Sequence, residues 1–270
     1  MLPILIKIGP ITIHTYGFLF AIGVLLGILL STHLAKKEGI DKDDFTNLLF
    51  YTLLIALLGA KLLLVLTNLN FYIKHPSELK FLLTSGGTFY GGLIGGVLFA
   101  VYYIKKKKMD VRVIGDITGP AIALGHFFGR LGCFSAGCCY GRFAGNNPIA
   151  VKFPNLHQHT GVPHNMPIYP TQLMEATLNL LNFIFLFFMY KKRKFKGQIF
   201  LMYIFNYSII RFFVEYFRGD PDRGYIFGSY NHPYTSLSVP QLISIIGVIS
   251  VIILYPVFKR KGEKEKEIKS

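Results

Sequence analysis

The sequence predicts an all-α polytopic integral membrane protein with about seven transmembrane helices. Of its 270 residues, 52% are hydrophobic and 15% are aromatic, and the mean hydropathy of +0.44 is high for a soluble domain. Only 16% of the residues are charged, and they occur in short runs between long apolar stretches. The net charge of +15 therefore belongs to loops, and it is a weak indication of nucleic-acid binding.

Seven apolar runs approach or exceed the length of about 20 residues that spans a bilayer. The third and fourth runs are short or rich in glycine and polar residues, but glycine in a membrane helix commonly permits close helix packing. The runs cover residues 17–34, 47–66, 91–104, 114–131, 173–190, 199–217 and 239–258.

Connections rich in lysine and arginine alternate with connections poor in them, and this alternation predicts the orientation of the chain in the membrane. Basic residues concentrate around Lys36 and Lys42, in "KKKKMDVR", in "KKRKFK" and in the tail "KRKGEKEKEIK". Since short basic loops stay in the cytoplasm, we expect the N-terminus outside and the C-terminus inside. The predicted organisation is one seven-helix membrane domain over residues 1–258 and a charged cytoplasmic tail over 259–270. The connections 132–170 and 218–238 are predicted to form small extracytoplasmic caps.

Polar side chains gather at the predicted outer ends of the spans. An arginine within a membrane is costly and usually faces a cavity or a partner. Arg211, Glu215 and Arg218 are spaced by four and three residues, so they are predicted to share a helix face and to pair. A purely structural ion pair is the alternative. The residues in this outer group are His14, Tyr16, Tyr90, Arg130, Gln172, Glu175, Arg211, Glu215 and Arg218.

The arginines favour an anionic ligand, because a guanidinium matches two oxygens of a phosphate. In the outer half of a membrane, the abundant phosphate is a lipid head group. Gly91 and Gly92 beside Tyr90 fit either a backbone cradle for an anion or close helix packing. Lys61 lies within the second span, where it is predicted to snorkel or pair.

In order and spacing, several motifs resemble those of the prolipoprotein diacylglyceryl transferases. They are "HTYG", "GGTFYGGLIGG", "GRLGCFSAGCCYGR", "FP" at Phe153 and Pro154, "YPTQLMEA" and "RFFVEYFRGDPD". The resemblance implies a seven-span enzyme of the bacterial cytoplasmic (inner) membrane with its site toward the outer leaflet. Its implied reaction transfers the diacylglyceryl group of phosphatidylglycerol to the lipobox cysteine of a preprolipoprotein, giving a thioether and glycerol phosphate. The implied partners are these two substrates and membrane lipids, and no cofactor is expected.

The resemblance also implies roles for particular residues. Arg130 and Arg211 match the essential arginines, Tyr16 matches the essential tyrosine, and Gly141 closes the signature. Glu215 and Arg218 match the acidic and basic residues of the sixth span. We accordingly expect a catalytic group of Arg130, Arg211, Tyr16 and Tyr90. The substrate-binding group expected is Arg130, Gly141, His14, Gly91, Gly92, Glu215, Arg218, Gln172 and Glu175.

The chain departs from the family pattern at several positions. Cys133 and Cys138 stand where the signature typically has Asn and Glu, and Tyr90 replaces a histidine often proposed as the base. Tyr169 and Met174 replace an expected His and Tyr. Three candidates for the proton acceptor stay open, namely Tyr90, His14 and His126.

Alternative interpretations concern the acceptor and the cysteines. A phospholipid-dependent transferase could use another acceptor, and a transporter would need polar residues in the other half of the spans, where the sequence indicates almost none besides Lys61. Cys133, Cys138 and Cys139 could bind metal with His126, but they lack a paired C-x-x-C, and no metal is predicted. His157, His159 and His164 fit a solvated loop. A disulfide from Cys133 to Cys138 or Cys139 is the remaining alternative.

Overall fold

The fold is described by a computed structural model. The structure describes residues 3–9, 11–83, 86–153, 161–220, 223–229 and 231–268. The chain divides into two compact units. The larger unit comprises Met1–Ser31 and Gly115–Ser270, and the smaller one is Thr32–Ile114.

Helices dominate the described residues, and a long helix lies at each of the seven predicted apolar runs. A short helix, Leu69–Lys74, and a 3-10 helix, Pro76–Leu83, follow the second long helix and lie outside those runs. The α-helices are α1 Thr15–Lys37, α2 Lys42–Thr67, α3 Leu69–Lys74, α4 Phe89–Lys106, α5 Val111–Ala136, α6 Thr171–Tyr190, α7 Gln198–Glu215 and α8 Val239–Glu267.

Four of these helices, α1, α2, α6 and α8, are long and apolar enough to cross a membrane. Large apolar side chains point outward along them, including Leu57, Phe188 and Ile252, each more than 60% exposed. Such surfaces are unfavourable in water and are suited to lipid. The predicted membrane character is confirmed by these helices.

The structure also contains two short antiparallel strand pairs, which the all-α prediction did not include. Strand β1, Ile4–Ile8, pairs with β2, Ile11–His14, ahead of α1, and β3, Tyr225–Phe227, pairs with β4, Leu237–Ser238, ahead of α8. His14, predicted at the outer end of the first helix, is the last residue of a strand and directly precedes α1. The side chains of β1 are all exposed, so this hairpin adds no core.

Side chains at the helix starts bind the backbone N–H groups that a first turn leaves without partners. Asp41 accepts from Asp44 N at 2.8 Å at the start of α2. Ser238 and Gln241 form a reciprocal capping box at the start of α8.

The start of α7 is capped by a residue from another helix. Asp116 of α5 is fully buried, and its carboxylate accepts from Gly197 N and Ile199 N at 2.8 Å and from Phe200 N at 3.1 Å. A buried carboxylate at a helix N-terminus is favoured by both the hydrogen bonds and the helix dipole. This contact fixes the first turn of α7 against α5.

The sequence prediction of almost no polar side chains besides Lys61 away from the site is wrong. Besides Asp116, Asn182 is buried, and it accepts a hydrogen bond from Asn206 Nδ2 at 2.9 Å. These groups are bound to neighbouring helices, as buried polar groups in a membrane protein must be. They therefore join α5, α6 and α7.

In the smaller unit, glycines let α2 and α4 pack closely. A Cβ on Gly91 would collide with the carbonyl oxygen of Gly59, and one on Gly92 would lie 3.2 Å from Ala56 O. Gly91 and Gly92 thus serve helix packing, the second of their two predicted roles. Lys61 Nζ donates to the backbone carbonyl of Gly86 at 3.3 Å.

The connection between α5 and α6 folds as a compact cap, as predicted for this loop. Its buried core consists of Tyr140, Phe153, Val162 and Ile168. Val151 N donates to Ile168 O, and Ile168 N donates to Val151 O, both at 3.0 Å. Residues 154–160, which include Pro154, His157 and His159, lie outside the described residues.

Candidate active site

One buried carboxylate lies between the two arginines that the sequence singled out. Glu175, near the start of α6, is 1% exposed. Its Oε1 is 2.9 Å from Arg130 Nη2, and its Oε2 is 4.0 Å from Arg211 Nη1. Arg211 Nη1 is buried and has no hydrogen-bond partner among the described residues. The arrangement leaves guanidinium N–H groups for a further anionic acceptor.

The charge network continues from Arg211 along α7. Arg211 Nη2 lies 2.7 Å from Glu215 Oε2, and Glu215 Oε1 lies 2.6 Å from Arg223 Nη1. The predicted pairing of Arg211 with Glu215 at i,i+4 is confirmed. Glu215 is 3% exposed, and its two oxygens face one guanidinium each. A buried carboxylate paired in this way holds both guanidinium groups in place.

Arg218 does not share the helix face with Arg211 and Glu215, and that prediction is wrong. Helix α7 ends at Glu215, and the chain turns before Arg218. Its Nε and Nη2 instead donate to the two oxygens of Asp220 at 2.7 and 2.6 Å. Burial lowers the pKa of Arg218, but the hydrogen bond to Asp220 and the charges of Cys139 and Asp220 together outweigh it, so the pKa lies above the usual value.

The network carries an excess of positive charge. It joins four guanidinium groups to three carboxylates. The guanidinium groups are those of Arg130, Arg211, Arg218 and Arg223, and the carboxylates are those of Glu175, Glu215 and Asp220. The side chains of Arg130 and Arg211 remain 18% and 13% exposed. One further negative charge placed against these two would balance the network. All seven residues belong to the larger unit.

A tight loop at the start of the cap, residues 138–142, is held beside this network. From α6, Gln172 Nε2 donates to Cys138 O at 2.8 Å, and Thr171 Oγ1 donates to Cys139 O at 3.0 Å. From the other side, Gly219 N donates to Tyr140 O at 2.9 Å. Gln172 is fully buried, so its amide holds this loop in position.

Gly141 lies at the closest backbone contact of the loop. A Cβ on Gly141 would overlap the carbonyl oxygen of Tyr169, and a Cβ on Gly219 would overlap that of Gly141. No side chain fits at either position without moving the backbone. The glycine that closes the predicted signature is therefore required by packing.

The three cysteines converge beside Arg130. The Sγ atoms of Cys133, Cys138 and Cys139 all lie within 4.8 Å of one another, and all three are free thiols. Hydrogen bonds from the Cys133 and Cys138 thiols hold the pKa of the Cys139 thiol well below its usual value, and the Arg218 and Arg130 charges act in the same direction. Sequence reasoning placed these residues in the site without finding their convergence.

Tyr16 and His126 adjoin the same region of the larger unit. The Tyr16 ring packs against Gly132, the residue before Cys133, where an added Cβ would lie 3.0 Å from the ring. Tyr16 is 42% exposed. His126 Nδ1 is 3.5 Å from the Tyr203 hydroxyl, and its ring centroid is 4.7 Å from that of Tyr207. His126 is thus packed among aromatic side chains.

The structure brings most of the predicted site residues together within the larger unit. Tyr90, Gly91 and Gly92 belong to the smaller unit, at the start of α4, and the Tyr90 side chain is exposed there. Sequence reasoning missed Arg223 and Asp220, which complete the charge network. The signal was present in "RGDPDR", where alternating charges follow directly on α7.

Comparisons with known proteins show the family of this chain. A family model described as prolipoprotein diacylglyceryl transferase matches residues 3–257. A phosphatidylglycerol–prolipoprotein diacylglyceryl transferase of Clostridium tetani is 34% identical, covering 94% of this chain and 97% of its own length. Similar proteins of the same name are found in Finegoldia magna, at 34% identity over 97% of both chains, and in Staphylococcus carnosus, at 31% identity over 99% of this chain and 95% of its own length. The chain therefore belongs to the prolipoprotein diacylglyceryl transferase family.

Proposed function

We propose that this protein transfers the diacylglyceryl group of phosphatidylglycerol to the lipobox cysteine thiol of preprolipoproteins. The observation that carries the proposal is the Arg130–Glu175–Arg211 arrangement within an apolar helical chain. The family and the names of its relatives supply the reaction. The products are a thioether on the acceptor protein and glycerol phosphate.

In this reaction the acceptor thiol releases its proton to solvent, and its sulfur attacks the glyceryl carbon that carries the phosphate. A C–S bond forms, the C–O bond breaks, and the electron pair leaves on a phosphate oxygen. Arg130 and Arg211 bind the phosphate and stabilise this charge, since fixed donors in a site poor in water act strongly on it. Glu175 holds both guanidinium groups in place before the substrate arrives.

The remaining predicted residues have supporting roles in the proposal. Tyr16, beside the cysteines, supplies a hydroxyl group to the reacting centre. Glu215 and Arg218 belong to the charge network that fixes Arg211. Gln172 and Gly141 act indirectly, because they hold the loop 138–142 in position. A further substrate contact is assigned to His14.

We also propose that α4, α5 and α7 cross the bilayer with the four apolar helices, which makes seven spans. At about 1.5 Å per residue, even the 18 residues of α4 and of α7 reach about 27 Å, close to the hydrocarbon thickness. The basic connections support an outer N-terminus and a cytoplasmic C-terminus. The site then lies toward the outer leaflet of the bacterial inner membrane.

The direct test is a transfer assay with purified protein in phospholipid nanodiscs, phosphatidylglycerol and a lipobox peptide. We expect a thioether-linked peptide and an equal amount of glycerol phosphate. Arg130→Ala should lower the rate by about 100-fold or more, and Arg260→Ala in the exposed tail is the matched control. Glycerol phosphate release without a peptide thioether would instead indicate another acceptor.

A further inference from the structure

We propose that Cys133, Cys138 and Cys139 bind one thiophilic divalent cation of the zinc class, with a fourth position open to the thiol of the acceptor. The role of the open position rests on the proposed function, whereas the metal site itself does not. Neither the family description nor the names of the relatives mention a metal.

The spacing of the three sulfur atoms suits such an ion. They lie within 4.8 Å of one another. In a tetrahedral zinc site with Zn–S bonds of about 2.3 Å, neighbouring sulfurs are about 3.8 Å apart. Each sulfur pair therefore lies within about 1 Å of the separation that such an ion requires.

The backbone that presents the sulfurs is fixed from several directions. Cys133 lies in the last turn of α5, and Gly137 (φ +77°) and Cys139 (φ +58°) then reverse the chain. Cys138 N donates back to Cys133 O at 3.2 Å. Few L-residues adopt a positive φ, so the left-handed Cys139 is maintained by the loop contacts of Gln172 and Thr171. This geometry holds three thiols at one point.

The cluster has three ligands and a charge balance that suits a divalent ion. Among the described residues, no fourth Cys, His, Asp or Glu atom joins the group. Three protein ligands with one open position are typical of catalytic zinc sites, whereas structural sites are closed by four. Three thiolates with one divalent cation carry one negative charge, and the positively charged Arg130 lies one helical turn before Cys133 in α5.

The cluster lies beside the arginine proposed to bind the phosphate. Arg130 and Cys133 are three residues apart in α5, so they share one face of that helix. A thiol bound in the open position loses its proton to solvent, because coordination to zinc deprotonates it. Its sulfur then forms the C–S bond while the phosphate leaves with the C–O electron pair, and the metal keeps its oxidation state throughout.

Metal content and cobalt spectra test the site independently of activity. Purified protein is stripped with a chelator and titrated with Zn²⁺ or Co²⁺ alone. We expect one equivalent per chain, a sulfur-to-cobalt charge-transfer band, and loss of binding by at least 10-fold in Cys133→Ser, Cys138→Ser and Cys139→Ser. His232→Ala, which removes an exposed loop histidine, should bind normally.

A second measurement covers variants that fail to fold. In the wild-type protein, Zn²⁺ should protect all three cysteines from alkylation, as read by mass spectrometry. Binding no stronger than in the triple serine variant, or a disulfide between two of the cysteines in the isolated protein, would overturn the metal site.

Adding a lipobox peptide to the Co²⁺ protein tests the open position. We expect the charge-transfer band to rise with the cysteine peptide and to stay constant with its serine analogue. An unchanged band, or full activity in protein verified to be free of metal, would contradict the catalytic role. Metal binding and peptide coordination without any thioether product would instead count against the proposed function alone.

Discussion

At the residue scale, Glu175 organises the candidate site. It is the only carboxylate among the described residues that faces both Arg130 and Arg211, and it does so from a position 1% exposed. Without this charge, two buried guanidinium groups would lie close together and repel each other. A single side chain thus sets the geometry of both proposed phosphate ligands.

Replacing Glu175 tests this dependence. Glu175→Gln keeps the size and removes the charge, so we expect a rate loss of about 100-fold and destabilisation of about 3 kcal/mol. Turnover and thermal unfolding in detergent measure the two effects. Glu263→Gln, in a pair with both side chains more than half exposed, should change stability by less than about 0.5 kcal/mol. Wild-type kinetics in Glu175→Gln would contradict the proposed role.

Several site residues could be predicted from sequence because charge in an apolar helix is conspicuous. Arg130, Glu175 and Arg211 stand out for that reason, and the structure joins them. Arg223 and Asp220 did not stand out, since charges in a polar loop are ordinary. The error at Arg218 came from extending helical spacing past Glu215, where α7 ends.

At the element scale, the loop 138–142 connects α5, α6 and the segment after α7. Its bonds are mostly to backbone atoms, so they depend on chain geometry more than on side-chain identity. Gly141 lies where this loop passes closest to Tyr169. The position of the cysteines relative to Arg130 therefore depends on a backbone contact.

A single added methyl group should disturb this loop. Gly141→Ala would place a Cβ against Tyr169 O, and we expect a loss of about 2 kcal/mol in stability, together with reduced transfer. The unfolding midpoint and the transfer rate are measured on the same preparation. Gly119→Ala, whose Cβ would meet only ordinary contacts at 3.5 Å, is the control. Equal stability of the two variants would show that the loop adapts.

The seven long helices were predictable because apolar runs are a strong signal, whereas the strand pairs were not. In β1, large apolar side chains are exposed, so no alternation of buried and exposed positions marks it as a strand. The capping of α7 by Asp116 was also hidden. The partners lie 81 to 84 residues apart in sequence, and only the tertiary structure brings them together.

At the scale of the whole molecule, the predicted topology follows from the distribution of basic residues. The charged tail and the connections rich in lysine should all lie on one side of the membrane. The α5–α6 cap should lie on the other side, together with the network around Glu175. This arrangement would give the network access to lipids of the outer leaflet.

Reporter fusions test the topology directly. Green fluorescent protein after residue 268 should fluoresce, because that end is predicted to be cytoplasmic, and alkaline phosphatase inserted after Asn147 in the exposed cap should be active outside. Swapping the two reporters should silence both. Phosphatase activity at the C-terminus would reverse the proposed orientation.

The Asp116 contact has a consequence for the alignment of two helices. Asp116 binds the start of α7 at Gly197, and Arg130 of α5 meets Arg211 of α7 through Glu175. Fourteen residues separate Asp116 from Arg130, and fourteen separate Gly197 from Arg211. The two helical segments therefore have equal lengths of about 21 Å. The Asp116 contact joins them at one end, and the arginines meet through Glu175 at the other. A one-residue insertion in either segment would rotate its arginine by about 100° about the helix axis. The site therefore depends on the number of residues between the Asp116 contact and the arginines as much as on the arginines themselves.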